Sequence, residues 1–506
     1  MTEPISLHWV DWAIIVAYIL FSLGVGIYFS KRAASSTEEY FLSGRSLPWW
    51  LVGTSMVATT FAADTPLAIT EFVRGQGIWQ NWFWWNLLMG ALLSVFLFSR
   101  LWRRAKILTD NELLEIRYSG KPAAFLRAFK AGYFAILYNF IVMGWVINAM
   151  ASVVSVMLNM DKWTAVWLCV TIAVVYAILS GFWGVVITDI VQFFIAMFGS
   201  IALAIIALNH VGGMDALLQK LSSLLGTDII HENTLKFIPP IPDNSIGSLS
   251  FWESPFSKFL IFITVMWWSH HGTDGGGYII QRMSSAKNEK HALLATLWFN
   301  LAHYAVRVWP WIIVGVVSIV MFPVIPDSYS DLGTKAGYPL VMNMLLGPGM
   351  KGILIVSFLA AFMSTIDTHL NWGASYIIND IYKRFFKPNE SEKHYVIVSK
   401  VITVILMILA AFTALKMQSI SKAWAFIFSM GAGIGLVLIL RWFWWRINAW
   451  SEITALSTSI VITILLETLA WWQVSAKEGV YSLFGTEPVL FGIQIQVHHK
   501  LIIIVP

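Results

Sequence analysis

Ala361, Ser364 and Thr365 recur at i, i+3 and i+4 within an otherwise apolar stretch, so one helical face carries a backbone carbonyl and two hydroxyls. A hard cation such as sodium needs several neutral oxygens, and carbonyls from an unwound run such as Ala58 to Phe61 would complete the set. The same hydroxyl pair is also compatible with plain helix packing or with bonding back to the i−4 carbonyl. A second group is carboxylates in apolar runs: Asp64, Asp189 and Asp367. An ionised carboxylate at membrane depth costs roughly 2.5 to 3.5 kcal/mol on insertion scales, so each calls for a partner, an ion or water. A third is His303 and Arg307 at i, i+4, which could hold a carboxylate on a solute. Alternatively, Arg307 pairs with an internal carboxylate such as Asp64. His270-His271 could suggest a metal, but no third ligand stands at fixed spacing, and a polar pocket lining is the better reading.

The elements that must position these residues are membrane helices. Of 506 residues 58% are hydrophobic and 12% charged, against roughly 25% charged in a soluble domain. Apolar runs near 8–30, 46–74, 78–99, 131–158, 163–181, 184–209, 255–278, 291–322, 352–379, 394–415, 423–440 and 449–472 are each about long enough to cross the hydrocarbon core as helices. This excludes a water-soluble fold. Two spans cannot be continuous helices. Ala58-Thr59-Thr60-Phe61-Ala62-Ala63-Asp64-Thr65-Pro66 puts a carboxylate and a proline at mid-depth, and Ser269-His270-His271-Gly272-Thr273-Asp274-Gly275-Gly276-Gly277 packs helix breakers into another span. Interrupted helices in corresponding halves point to a transporter site. The second lies five spans after the first, as an inverted repeat of five plus five requires.

The net charge of +5 does not imply nucleic acid, because the basic residues cluster in alternate connectors. With the N-terminus outside, most Lys and Arg fall on the inner side, among them Arg100, Arg103, Arg104, Lys106 and Lys383, Arg384, Lys387. Tryptophans such as Trp49, Trp50, Trp84, Trp444 and Trp472 fall near span ends, as an aromatic belt would. The single cysteine, Cys169, excludes an intrachain disulfide. The connector 211–254 should carry a short amphipathic helix over Met214 to Leu225, and 323–348 a second helical segment. The final apolar run from Lys500 reads as the start of a further span.

These segments resemble the sodium:solute symporter family, whose members carry sugars, proline or sialic acid with sodium. The resemblance rests on Phe41-Leu42-Ser43-Gly44-Arg45, the stretch from Gly181 to Asp189, Tyr278-Ile279-Ile280-Gln281-Arg282, and Ala361 to Thr365 followed by Asp380-Ile381-Tyr382. It implies an all-α polytopic LeuT-type fold with an extra N-terminal helix: residues 1–45 for that helix, 46–210 for the first repeat, 211–254 for an outer connector, 255–446 for the second repeat and 447–506 for an additional C-terminal helix. It further implies a main sodium (Na+) site at the Ala58, Phe61 and Ala361 carbonyls and the Ser364 and Thr365 hydroxyls. A second site would use Asp189, Ser364, Asp367 and Thr368. Asp367 stands where a serine is usual, which points to tighter binding or to a proton instead. Positions that line the pocket of sugar-carrying relatives correspond to Thr65, Trp84, Ser269, His303 and Trp424, and none keeps the sugar carriers' residue. Trp84 and Trp424 could still stack on a sugar ring, and Asp64 could bond its hydroxyls.

The expected activity is sodium-coupled symport of a small polar solute by alternating access, with a sugar or sugar derivative leading and an amino acid or small carboxylate close behind. A membrane sensor of the same fold is the alternative from another class. An enzyme is disfavoured, since neither His-Glu-x-x-His nor Gly-x-Ser-x-Gly occurs. The expected partners are the solute and the bilayer, with no nucleic acid, in a functional monomer of a plasma membrane, in particular a bacterial inner membrane.

Overall fold

The computed structural model describes residues 7–33, 36–224, 233–417, 419–475, 487–490 and 493–505. Among them eight helices are long and apolar enough to cross a membrane. The expected spans outside that group are the two broken ones and the shorter helices Lys162–Ile178 and Ile420–Met430. The chain runs through α1 (Trp9–Ala33), α2 (Trp49–Thr59), α3 (Asp64–Gly75), α4 (Ile78–Ala105), α5 (Gly120–Leu158), α6 (Lys162–His210) and α7 (Gly213–Ser222). It continues through α8 (255–269), α9 (Gly277–Ser285), α10 (Glu289–Met321), α11 (Gly337–Leu345) and α12 (Met350–Phe386). α13 (Glu392–Lys416), α14 (Ile420–Met430), α15 (Gly435–Leu440), α16 (Ala449–Ser475) and α17 (Val497–Ile504) follow, with short connector helices such as Thr37–Leu42 and Glu112–Arg117 between the longer ones. The one pair of strands described, Val489–Leu490 and Ile493–Gln494, is two residues long.

Both breaks fall where the sequence requires them. Pro66 has no N–H to give the Ala62 carbonyl, so a helix cannot run through 62–66; Thr65 N bonds Ala62 O at 3.2 Å instead, and α2 and α3 separate there. The second break depends on glycine. Gly275 and Gly276 adopt φ of +129° and +70°, which side chains with a Cβ rarely reach. A Cβ on Gly277 would fall on the Trp372 ring.

α6 is helical throughout its 49 residues, yet it is not straight. Tyr176 and Thr188 would lie about 18 Å apart along a straight helix, whereas their hydroxyls meet at 2.7 Å. The helix therefore folds back between them, and the expected spans 163–181 and 184–209 are its two limbs. α6 and α12 form the centre of the molecule, with α1 packed against both. α1 also caps α12: the buried Asp11 accepts bonds from Gly349 N and Gly352 N, each at 2.7 Å, where free N–H groups and the helix dipole favour an anion. The expected amphipathic helix is α7, with Leu217 and Leu221 buried and Leu218 exposed; Leu225 lies outside the described residues. Trp84 departs from the aromatic belt: it is 6% exposed and faces inward, whereas Trp50 and Trp472 remain exposed.

Candidate functional site

The first break lies against α12. Thr365 donates to Thr59 O at 2.7 Å and to Ala361 O at 3.1 Å, while Ser364 donates to Asp189 Oδ1. A hydroxyl has one proton and two lone pairs. Both protons here are committed to carboxylate or carbonyl, which leaves the oxygens free to accept a cation. Phe61 lies between the half-helices, so its carbonyl belongs to neither helical ladder. Ala58, Phe61, Ala361, Ser364 and Thr365 are all at most 3% exposed. The structure thus gathers these five residues around one buried junction, and their donor chemistry fits a sodium ion.

The residues expected at a second cation site are also together, but a guanidinium is already among them. Arg282 donates from Nε to Ser55 Oγ at 2.9 Å and from Nη2 to Thr59 Oγ1 at 2.5 Å and Thr368 Oγ1 at 2.7 Å. It faces Asp189 Oδ2 at 3.5 Å. Ser55 also donates to Asp189. Asp189 is thereby paired with a cation that the sequence reading did not assign to it, although an arginine within a broken span is the kind of residue that signals such a partner. In this arrangement a second sodium at Asp189, Ser364 and Thr368 would compete with Arg282. Asp367 is 2% exposed, and neither of its oxygens has a hydrogen-bond partner among the described residues.

Between the two breaks lies a cavity of about 250 Å³. Asp64, Thr65, Trp84, His303 and Trp424 line it, as the sequence reading expected; Ser269 and Arg307 are not among its wall residues. Ser269 donates to Met266 O at 3.3 Å. Arg307 caps the C-terminal end of α2, donating to Val57 O at 3.0 Å, where a cation suits the helix dipole. Its guanidinium lies 5.5 to 5.7 Å from the Phe61, Trp84 and Trp311 rings, within cation–π range. Asp64, which opens α3, accepts from Trp424 Nε1 at 3.1 Å, so the direct partner of that carboxylate is an indole. Tyr138, Trp145, Tyr278, His369, Trp372 and Phe428 also line the cavity. Sequence alone could not separate them from core or lipid-facing aromatics, because tryptophans and tyrosines occur on every face of these helices.

The sodium:solute symporter family model matches residues 40–475. Sodium/glucose cotransporter 4 of Danio rerio is 26% identical over 484 residues, covering 90% of this chain and 71% of that protein. The sodium/glucose cotransporter of Vibrio parahaemolyticus is 23% identical, covering 96% and 90% respectively. Among solved structures, a Na+-coupled sialic acid symporter in a substrate-bound outward-open state is similar in fold, with a TM-score of 0.70 at 19% identity over 98% of this chain and 97% of that one.

Proposed function

The chain belongs to the sodium:solute symporter family, and from that premise we propose that it couples sodium entry to the uptake of a sugar-like solute by alternating access. The observation that carries the reading is the junction of the first break with α12, where Ser364 and Thr365 commit their protons to Asp189 and to the Thr59 and Ala361 carbonyls and keep hydroxyl lone pairs for a cation. Ala58, Phe61, Ala361, Ser364 and Thr365 would hold the sodium, and the solute would occupy the neighbouring cavity. Thr365 belongs to both, since it also lines the cavity. Coupling needs only that sodium and solute each bind one conformation better than the other. Sodium at the junction ties α2 to α12 and orders one wall of the cavity; rocking of the repeats 46–210 and 255–446 against each other would then expose both cargoes to the other side.

The positive-inside distribution supports an N-terminus on the outer face of a bacterial inner membrane, with a monomer as the working unit. Uptake of labelled glucose and N-acetylneuraminate into proteoliposomes tests the function. Uptake of either that is driven by an inward sodium gradient and abolished when potassium replaces sodium supports it. Uptake that is indifferent to the cation refutes it.

A further inference from the structure

The cavity wall holds a single carboxyl group. Among the described residues, Asp64 is the only Asp, Glu, Lys or Arg side chain that lines it. Its Oδ2 accepts from Trp424 Nε1, whereas its Oδ1, in a residue only 3% exposed, has no hydrogen-bond partner among the described residues. A buried carboxylate oxygen without a donor is costly, and the donor it lacks must come from whatever fills the cavity.

Among the described residues no Lys or Arg side chain stands in the cavity wall to receive a negatively charged guest. Arg307, the residue the sequence offered for a solute carboxylate, is not in the wall; it donates to Val57 O and lies against the Trp84 ring, and its Nε has no partner among the described residues. Two of the wall histidines are fixed as neutral rings by their bonds. His270 Nδ1 accepts from Gly272 N at 2.9 Å, and His303 faces the Arg307 guanidinium at 3.4 Å, where only an unprotonated nitrogen can receive it. A solute carboxylate would exchange its hydration for the neutral donors of the wall, such as Thr65 and Asn300, while lying beside the Asp64 carboxyl. A hydroxyl or ammonium would gain a charge-assisted bond, and the ring that bears it would lie against Trp424.

We propose that Asp64 sets the charge specificity of the carrier: its free Oδ1 takes an O–H or N–H donor of the solute, so the cavity accepts neutral or amine-bearing sugars and rejects sugar acids. This rests on the sugar reading above and narrows it. Neither the family nor the relatives decide it, because the glucose carriers and the sialic acid symporter differ in the charge of the solute they are named for.

The test uses the full chain in proteoliposomes, with sodium-driven uptake and melting shifts measured for glucose, glucosamine and glucuronate, one pyranose ring in three charge states. Ethanolamine and lactate extend the series outside sugars. The expected result is a response to glucose or glucosamine at least tenfold above that to glucuronate, a ratio that shrinks at least tenfold in Asp64→Asn and survives in Asp64→Glu. A wild type that takes glucuronate as readily as glucose overturns the proposal, and so does an unchanged ratio in Asp64→Asn. If no pyranose responds, the sugar reading fails, and the remaining pair still judges the charge filter: a lactate response overturns it and an ethanolamine response supports it. The wild-type ratio decides alone if the asparagine variant does not fold.

Discussion

Ser364 and Thr365 matter for where their protons go. Thr365→Val keeps the shape, removes the oxygen and breaks the link to Thr59 O. The lost hydrogen bond should cost about 1 kcal/mol, and the sodium concentration that half-stabilises the protein should rise at least tenfold in a melting titration. An unchanged sodium dependence would remove Thr365 from the site. Asp11→Ala is the contrasting case. It strips the N–H groups of Gly349, which precedes α12, and of Gly352 in its first turn of their acceptor and should cost about 1 to 2 kcal/mol, while the sodium midpoint stays put. The hydroxyl pair was legible in the sequence because its spacing puts both on one helical face. Arg282 was not, because nothing in local sequence says that a residue of α9 reaches Ser55, Thr59 and Thr368; that depends on tertiary packing.

At the scale of elements, proline and glycine made the breaks readable in advance, since a missing N–H or a positive φ is a local property. The fold-back of α6 was legible as two separate runs, 163–181 and 184–209, whereas the inward turn of Trp84 came only from the family resemblance, because an apolar helix reads alike whether it faces lipid or a cavity. Gly277→Val tests the second break: its side chain would collide with Trp372, and the melting temperature should fall by several degrees, with Trp372→Ala restoring part of the loss in the double variant. The connector helix Glu112–Arg117 lies outside the spans. There burial alone would raise the Glu115 pKa, but the bonds from Arg384 and Arg127 outweigh it and hold the carboxyl below its usual range. A carboxyl depressed on folding stabilises the fold above its unfolded pKa of about 4.3 and loses that contribution as pH falls. Glu115→Gln should therefore flatten the acid side of the melting profile; an identical profile would show that the two arginines do not stabilise this connector.

At the scale of the molecule, a buried charge network joins the second break to the C-terminal helix. Arg441 bonds Asp274 Oδ2 at 2.6 Å and faces Glu452 at 3.3 Å; Lys130 meets Glu452 at 3.3 Å, and Tyr118 donates to it at 2.8 Å. Breaking one partner of a buried network typically costs about 3 to 5 kcal/mol, so Arg441→Met should lower the melting temperature more than any surface substitution. A neutral outcome would mean that the network is not closed in solution. Sodium is the point on which the whole account depends. The most direct test is thermal stability of the purified chain in sodium against potassium at equal ionic strength, with Ser364→Ala in parallel. A stabilisation specific to sodium that disappears in the variant is expected; equal melting temperatures in the two salts for the wild type, or a full sodium effect in Ser364→Ala, would rule out a sodium site at this junction.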